Sequence, residues 1–208
     1  MTVSQSDRTA TVPPDEAPQP VRGLDKAGQS LPDPGGARPV DEWNPPFSGD
    51  IDMVIARDGS WLYRGTPILR DRLVRLFASI LRRDGDGDYY LVTPVEKCRI
   101  AVEDAPFVAV AMEAEGTGRG QILRFVTNVG DRVRADGDHP LRFAETGDGQ
   151  GPRPYVLVRG RLEALVARAV FYDMVELATV EETGEGRRFG LWSAGTFFPM
   201  AREEDITP

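Results

Sequence analysis

The chain is short of most residues on which polar catalysis and metal binding rest. Its 208 residues hold one cysteine, Cys98, and one histidine, His139. A lone cysteine excludes an intramolecular disulfide, and a zinc centre wants three or four Cys, His or carboxylate ligands. An activated nucleophile needs a base and an orienting acid, and His139, in the loop Asp136-Gly-Asp-His-Pro140, is the only imidazole on offer. There is no Walker motif, and Gly116-x-Gly-x-Gly120 lies between two strand-like runs, whereas a dinucleotide loop must open a helix. No apolar run approaches the roughly 20 residues that cross a bilayer. The opening MTVSQSDRTA has neither the basic nor the apolar part of a secretory signal, so a cytoplasmic chain is expected.

Positive charge is scarce too. The formal net charge is -8, which argues against a general grip on nucleic-acid backbone or an anionic membrane while leaving room for a local basic pocket. Of 25 basic residues only Lys26 and Lys97 are lysines, a bias that fits a GC-rich coding background. Lys97 stands out against it, because an ammonium is a compact, mobile charge that arginine does not reproduce.

Residues 1–40 carry seven prolines and no aromatic residue, too little apolar surface to offset the entropy of ordering, and are expected to form a disordered tail. Beyond it, a chain that is 40% hydrophobic overall has enough material for real cores. The stretch Tyr89 to Val110 reads as three strands broken at Pro94 and Pro106, with Thr93, Glu96, Lys97, Glu103 and Asp104 gathered at the turns. Asp58-Gly59 between Met53–Ala56 and Ser60–Tyr63 signals a hairpin. Apolar residues at three-and-four spacing predict helices from about Ile68 to Arg82 and from Leu162 to Ala178. Phe189 to Phe198 predicts one or two final strands.

The two helices sit in matching surroundings. Trp61-Leu-Tyr-Arg64-Gly65, helix, glycine turn, Tyr89-Tyr-Leu-Val-Thr93 parallels Tyr155-Val-Leu-Val-Arg159-Gly160, helix, glycine turn, Phe189-Gly-Leu-Trp-Ser193. The expected fold is therefore α+β, with duplicated strand-helix-strand units in two largely antiparallel β-roll-like halves, 41–104 and 105–208.

Several segments carry a family likeness: Gly49-Asp50-x-Asp52 after Trp43, Asp58-Gly59-x-Trp61, Gly65-x-Pro67-Ile68-x-Arg70, Leu91-Val-Thr-Pro-Val-Glu-Lys97, Val102-Glu-Asp-Ala-Pro-Phe107 and Trp192-Ser193-x-Gly195. In these the chain, from Trp43 to Pro199, resembles the bacterial family of unknown function 1285. The resemblance implies a duplicated α+β fold with a C-terminal half superficially like pleckstrin-homology rolls. It also implies a pocket between the halves, a nucleotide-type ligand and a part in signal transduction.

The residues themselves favour binding over catalysis, and no catalytic residue or resident metal is assigned. Lys97, Arg70 and Arg159 could meet an anion, with Trp61, Tyr155 or Trp192 stacking on a base. Thr93, Glu96, Glu103, Asp104 and Ser193 are the polar candidates beside them. Asp50 and Asp52 alternate along one extended face and could hold magnesium, the basis of an alternative reading as a hydrolase or transferase. Asp84, Asp86 and Asp88 imitate half a calcium loop but lack its glycine and its glutamate, and read as a solvated turn. A protein-docking module is the third reading.

Overall fold

The computed structural model describes residues 38–145 and 151–205, all within one compact unit. The tail expected over residues 1–40 thus lies, up to residue 37, outside the described residues.

The first half opens with a short 3-10 turn, Val40–Glu42, whose Val40 is buried. Strand β1 (Phe47–Ile55) turns back through Asp58-Gly59 into β2 (Trp61–Tyr63), and a two-residue Arg64-Gly65 turn leads to β3 (Thr66–Pro67). Both turn residues have positive φ, 50° and 73°, as a tight hairpin that follows the strand twist requires. Helix α1 (Asp71–Ser79) follows, then β4 (Leu81–Arg83), β5 (Tyr89–Val92) and β6 (Lys97–Val102). The six strands make one sheet in the order β3-β2-β1-β6-β5-β4, antiparallel except where β1 and β6 run parallel.

The helix is shorter than the apolar spacing predicts. Ile68 is held extended because its N–H donates to the Trp61 carbonyl (2.8 Å), and the chain leaves the helix at Ile80 so that Leu81–Arg83 can pair with Tyr89–Leu91. Inter-strand bonds on both sides outweigh the local preference. What remains of the apolar face packs inward, with Phe77 stacked on Trp61 at 6.1 Å.

In the second half come β7 (Phe107–Glu115), β8 (Ile122–Thr127), β9 (Arg132–Arg134), β10 (Leu141–Ala144), β11 (Arg153–Arg159), β12 (Leu162–Val166), helix α2 (Arg168–Glu176), β13 (Thr179–Thr183), β14 (Gly186–Ser193) and β15 (Thr196–Arg202). They form a six-stranded sheet, β10-β11-β12-β7-β8-β9, and a three-stranded one, β13-β14-β15. The long helix expected from Leu162 is a correction here: Leu162, Ala164 and Val166 are buried in alternation, as β12 pairs with β11 and runs parallel to β7.

Among the described residues the protein is mostly β with two α-helices, and both halves run strand, glycine turn, strand, helix, strand, turn, strand, turn, strand, over β2–β6 and β11–β15. The repeat thus contains a strand between its Arg-Gly turn and its helix that the sequence pattern omits. In the first half the last three strands join the main sheet through β6, whereas in the second they stand apart. Phe107, Phe125, Leu123, Met174 and Leu191 are wholly enclosed in the second half, as Trp61, Ile55, Ile80 and Leu91 are in the first. Enclosure of such side chains contributes roughly 1.5–3 kcal/mol each. Among the described residues no helix is long and apolar enough to cross a membrane.

Candidate functional site

The turn between β5 and β6 closes on itself. The buried Thr93 hydroxyl accepts from the Glu96 N–H at 3.2 Å and donates to the Glu96 carbonyl, which fixes where Lys97 leaves the turn. Oε1 of Glu96 is buried and lacks a hydrogen-bond partner among the described residues. Burial pushes the nearby Cys98 thiol up, and Glu96 adds to it, so Cys98 is poorly suited to act as a nucleophile.

Lys97 is engaged. Its Nζ lies 2.9 Å from Asp84 Oδ2 and 4.4 Å from the centre of the Tyr90 ring. Burial alone would raise the Asp84 carboxyl, but Arg82 and Lys97 hold it below the usual range. The expected solvated turn at Asp84–Asp88 is anchored by four side chains: Arg82 and Lys97 on Asp84, the Tyr90 hydroxyl on Asp86 (2.8 Å) and Arg99 on Asp88 (3.0 Å). The hydrogen bond to Asp86 pushes the Tyr90 hydroxyl up to about 12. Asp50 also takes Arg99, through both carboxylate oxygens at 2.8 and 2.9 Å. Asp52 is exposed nearby on β1. A magnesium ion at Asp50 would have to compete with that guanidinium. Among the described residues no group of three or more His, Cys, Asp or Glu side chains is arranged to hold a metal.

A second cluster forms where the halves meet. Asp104 accepts from the Tyr155 hydroxyl (2.8 Å) and pairs with Arg153 (3.3 Å) and Arg57 (3.6 Å), while Glu103 accepts from the Arg57 backbone N–H (3.0 Å). The remaining candidates are scattered. Trp61 is 1% exposed, in the core of the first half, and Arg70 caps the start of α1 with its side chain in solvent. Trp192 donates from Nε1 to Glu181 (2.8 Å), and its ring lies under the Arg119 guanidinium. Ser193 is fully buried, accepting from the Leu123 N–H and donating to the Ala135 carbonyl. The thirteen residues singled out in the sequence therefore do not gather in one place.

Arg159 is the one that leads to a cleft. From the end of β11 it donates to Asp131 (2.6 Å) and to the Ala78 carbonyl at the end of α1 (2.8 Å), over the Phe107 ring. A cavity of about 670 Å³ opens beside it between the halves. The 3-10 turn, β4 and its following loop form one wall, and the β11–β12 turn the other. Five guanidinium groups line it, those of Arg38, Arg82, Arg83, Arg159 and Arg161, against two carboxylates, Asp41 and Asp84. A more open hollow of about 600 Å³ adjoins it and shares Arg83, Asp84 and Arg161. Asp84 binds Arg82 from one side and Lys97 from the other, so Lys97 serves the cleft through Asp84.

In a chain of net charge -8, five arginines around one cavity make a local positive field. Arg82 is spent on Asp84 and on the Val40 and Trp43 carbonyls. Arg161, by contrast, has no carboxylate partner among the described residues, and Arg83 only the Gly87 carbonyl and the Tyr89 ring. Trp43 adds a half-buried ring to the same wall. Of this set the sequence pointed to Arg159 alone, because the apolar spacing carries the first expected helix as far as Arg82, whereas Arg82 and Arg83 lie on β4. The available signal was Arg161 itself, placed directly after the Gly160 of the repeat.

The family model described as the N-terminal domain of DUF1285, a domain of unknown function, matches residues 38–105, and its C-terminal counterpart matches residues 106–200. The chain belongs to the DUF1285 family. The two family models meet directly after Asp104 and Ala105, at the cluster that joins the halves. A crystal structure of a DUF1285 family protein from Silicibacter pomeroyi DSS-3 is similar, with 52% identity, a TM-score of 0.78, and coverage of 83% of this chain and 91% of that one. Another, from Shewanella baltica OS155, is 31% identical with a TM-score of 0.48, covering 61% of this chain and 91% of that chain. No curated protein matches the chain.

Proposed function

We propose that this DUF1285 protein is a cytoplasmic ligand-binding protein that takes a small anionic, nucleotide-like molecule in the cleft between its halves and acts in regulation. The observation that carries the reading is the arginine-lined cavity, with Arg83 and Arg161 lacking a carboxylate partner among the described residues and Trp43 beside them. Its volume is that of a small-molecule site. Guanidinium forks match phosphate oxygens, and an indole ring offers a stacking face to a base. Both walls come from different halves, so an occupant would tie them together. That is a direct way for binding to be felt elsewhere in the fold.

Thermal melting of the full chain tests this against mononucleotides and dinucleotides, with inorganic pyrophosphate as the bare charge. Ligand at a hundred times its Kd adds about 2.7 kcal/mol, a shift of several degrees at this size. The shift is expected to disappear in Arg161→Ala, whose side chain makes no hydrogen bond or ion pair among the described residues. If no compound moves the melting point, or Arg161→Ala responds like the parent, the proposal fails.

A further inference from the structure

The arginine cleft also holds a carboxylate for which phosphate binding has no use. Asp41, on the 3-10 turn of the first half, lines the cavity and makes no hydrogen bond or ion pair among the described residues. We infer that the cleft prefers guanine nucleotides, with Asp41 and Asn44 reading the base. This rests on the nucleotide reading of the same cleft and adds to it which base is taken and by which residues.

Two opposite charges in the cleft stay apart. Arg161 comes from the second half and lies against Gly85 of the first, where a Cβ would be 3.5 Å from its Nη1. Asp41 comes from the first half and lies against Gly160 of the second, where a Cβ would be 3.9 Å from its Oδ2. Gly160 and Arg161 are neighbours in the β11–β12 turn, yet the carboxylate and the guanidinium do not meet in an ion pair. Both are left to an occupant. A bare anion would satisfy Arg161 and be repelled by Asp41. A nucleotide meets both, with phosphate oxygens for the guanidinium and ring N–H groups for the carboxylate.

The residue types then choose among bases. An ionised carboxylate only accepts hydrogen bonds, through either oxygen. Guanine presents adjacent donors, N1–H and the 2-amino group, spaced to meet both oxygens. Adenine and cytosine each place a ring lone pair next to their amino group, and that lone pair would face a carboxylate oxygen. Uracil offers a single N–H flanked by carbonyls. Guanine alone therefore gives Asp41 a pair of hydrogen bonds with no repulsion beside them. Asn44 lines the same cavity, and its side chain also makes no hydrogen bond among the described residues, so its amide can donate to guanine O6. Between the two in sequence stands Trp43, whose half-buried ring gives a base a face to stack on.

The test is calorimetric titration of the full chain with guanosine, inosine and adenosine diphosphates and with inorganic pyrophosphate. Guanosine diphosphate is expected to bind about tenfold more tightly than inosine diphosphate, which lacks the 2-amino group, and more tightly still than adenosine diphosphate. Asp41→Asn exchanges an accepting oxygen for a donating amide. The variant should therefore prefer xanthosine diphosphate, whose 2-oxo group accepts from that amide, over guanosine diphosphate. Asp41 is exposed and unpaired, so the melting point should not move. Loss of a negative charge by itself would strengthen every anion alike, pyrophosphate included, so the ratio between bases is the readout. Arg161→Ala should weaken all the nucleotides together and leave that ratio unchanged. Equal binding of the guanosine, inosine and adenosine compounds, or a guanine preference that survives Asp41→Asn, would overturn the inference and leave phosphate binding in the cleft standing. If neither pyrophosphate nor any nucleotide binds, the reading of the cleft falls and this inference falls with it.

Discussion

Asn128 clips the two halves together at Gly59: its Nδ2 donates to the Gly59 carbonyl at 3.1 Å while its Oδ1 accepts from the Val108 N–H at 3.0 Å. The β1–β2 turn of the first half is thereby seated on β7 of the second. Gly59 is needed twice over, for its φ of +84° and because a Cβ there would lie 2.5 Å from Asn128 Nδ2 and 2.9 Å from Val108 Cγ2. Gly59→Ala is expected to lower stability by about 2–4 kcal/mol, from backbone strain and the lost contact together. Asn128→Ala should cost about 1–3 kcal/mol by leaving a carbonyl and an N–H unpaired. Urea midpoints measure both, and an unshifted midpoint for Gly59→Ala would show that the turn does not depend on this seat.

Lys97 and Asp84 should behave as a coupled pair. Each side chain is about one-fifth exposed, and Lys97 also lies over the Tyr90 ring, so removing it leaves a carboxylate that burial already disfavours with Arg82 alone. Lys97→Ala is expected to cost about 1–3 kcal/mol, and Lys97→Arg to recover only part, since a fork does not reproduce a point charge in that space. A double-mutant cycle with Asp84→Asn should return a coupling of about 1 kcal/mol. Additive effects would mean that the ammonium contributes packing alone.

The fold was legible where the chain speaks locally. Asp58-Gly59 announced its hairpin, and the strands around Tyr89–Val110 were bounded by Pro94 and Pro106. The repeat was visible in its Arg-Gly turns, although β3 is too short to leave a pattern of its own. Leu162–Val166 was not legible, because Leu162, Leu165 and Val166 fit a helix while Leu162, Ala164 and Val166 fit a strand. Pairing with β11 on one side and with the distant β7 on the other decides between them. The candidate site was harder still. Lys97 was conspicuous as a lysine, but nothing in its neighbourhood named Asp84 as its partner. Arg83 and Arg161 meet across the cleft only because two turns from different halves face each other.

Ser193 is expected to be a structural pin. Its hydroxyl, fully buried, accepts from the Leu123 N–H at 2.9 Å and donates to the Ala135 carbonyl at 2.6 Å, so one side chain fastens β14 to β8 and to the residue after β9. Ser193→Ala leaves both backbone groups buried without partners, an expected loss of about 2–4 kcal/mol. Hydrogen exchange gives the specific readout. The Leu123 amide should exchange faster in the variant by more than the global loss of stability predicts, and an equal rate would assign its protection to the strand ladder instead.

Asp136 supplies a pH-dependent contribution whose sign is fixed. Burial works to raise its carboxyl, but Arg134, the His139 ring and the N–H groups of Asp138 and His139 together hold it down to about 2, against an ordinary 3.8. Above 3.8 the carboxylate is ionised in both folded and unfolded chains, and the stabilisation is fully present. As the pH falls from 3.8 to about 2, the unfolded chain takes up a proton that the folded one refuses, and the stabilisation is lost. Asp136→Asn should therefore unfold at lower urea than the parent at pH 7 and pH 5. The difference should shrink steadily below pH 3.8 and close near pH 2. A gap that stays constant through that window would mean that Asp136 shapes the loop before β10 through neutral hydrogen bonds, which an asparagine only partly supplies, and that its charge contributes nothing.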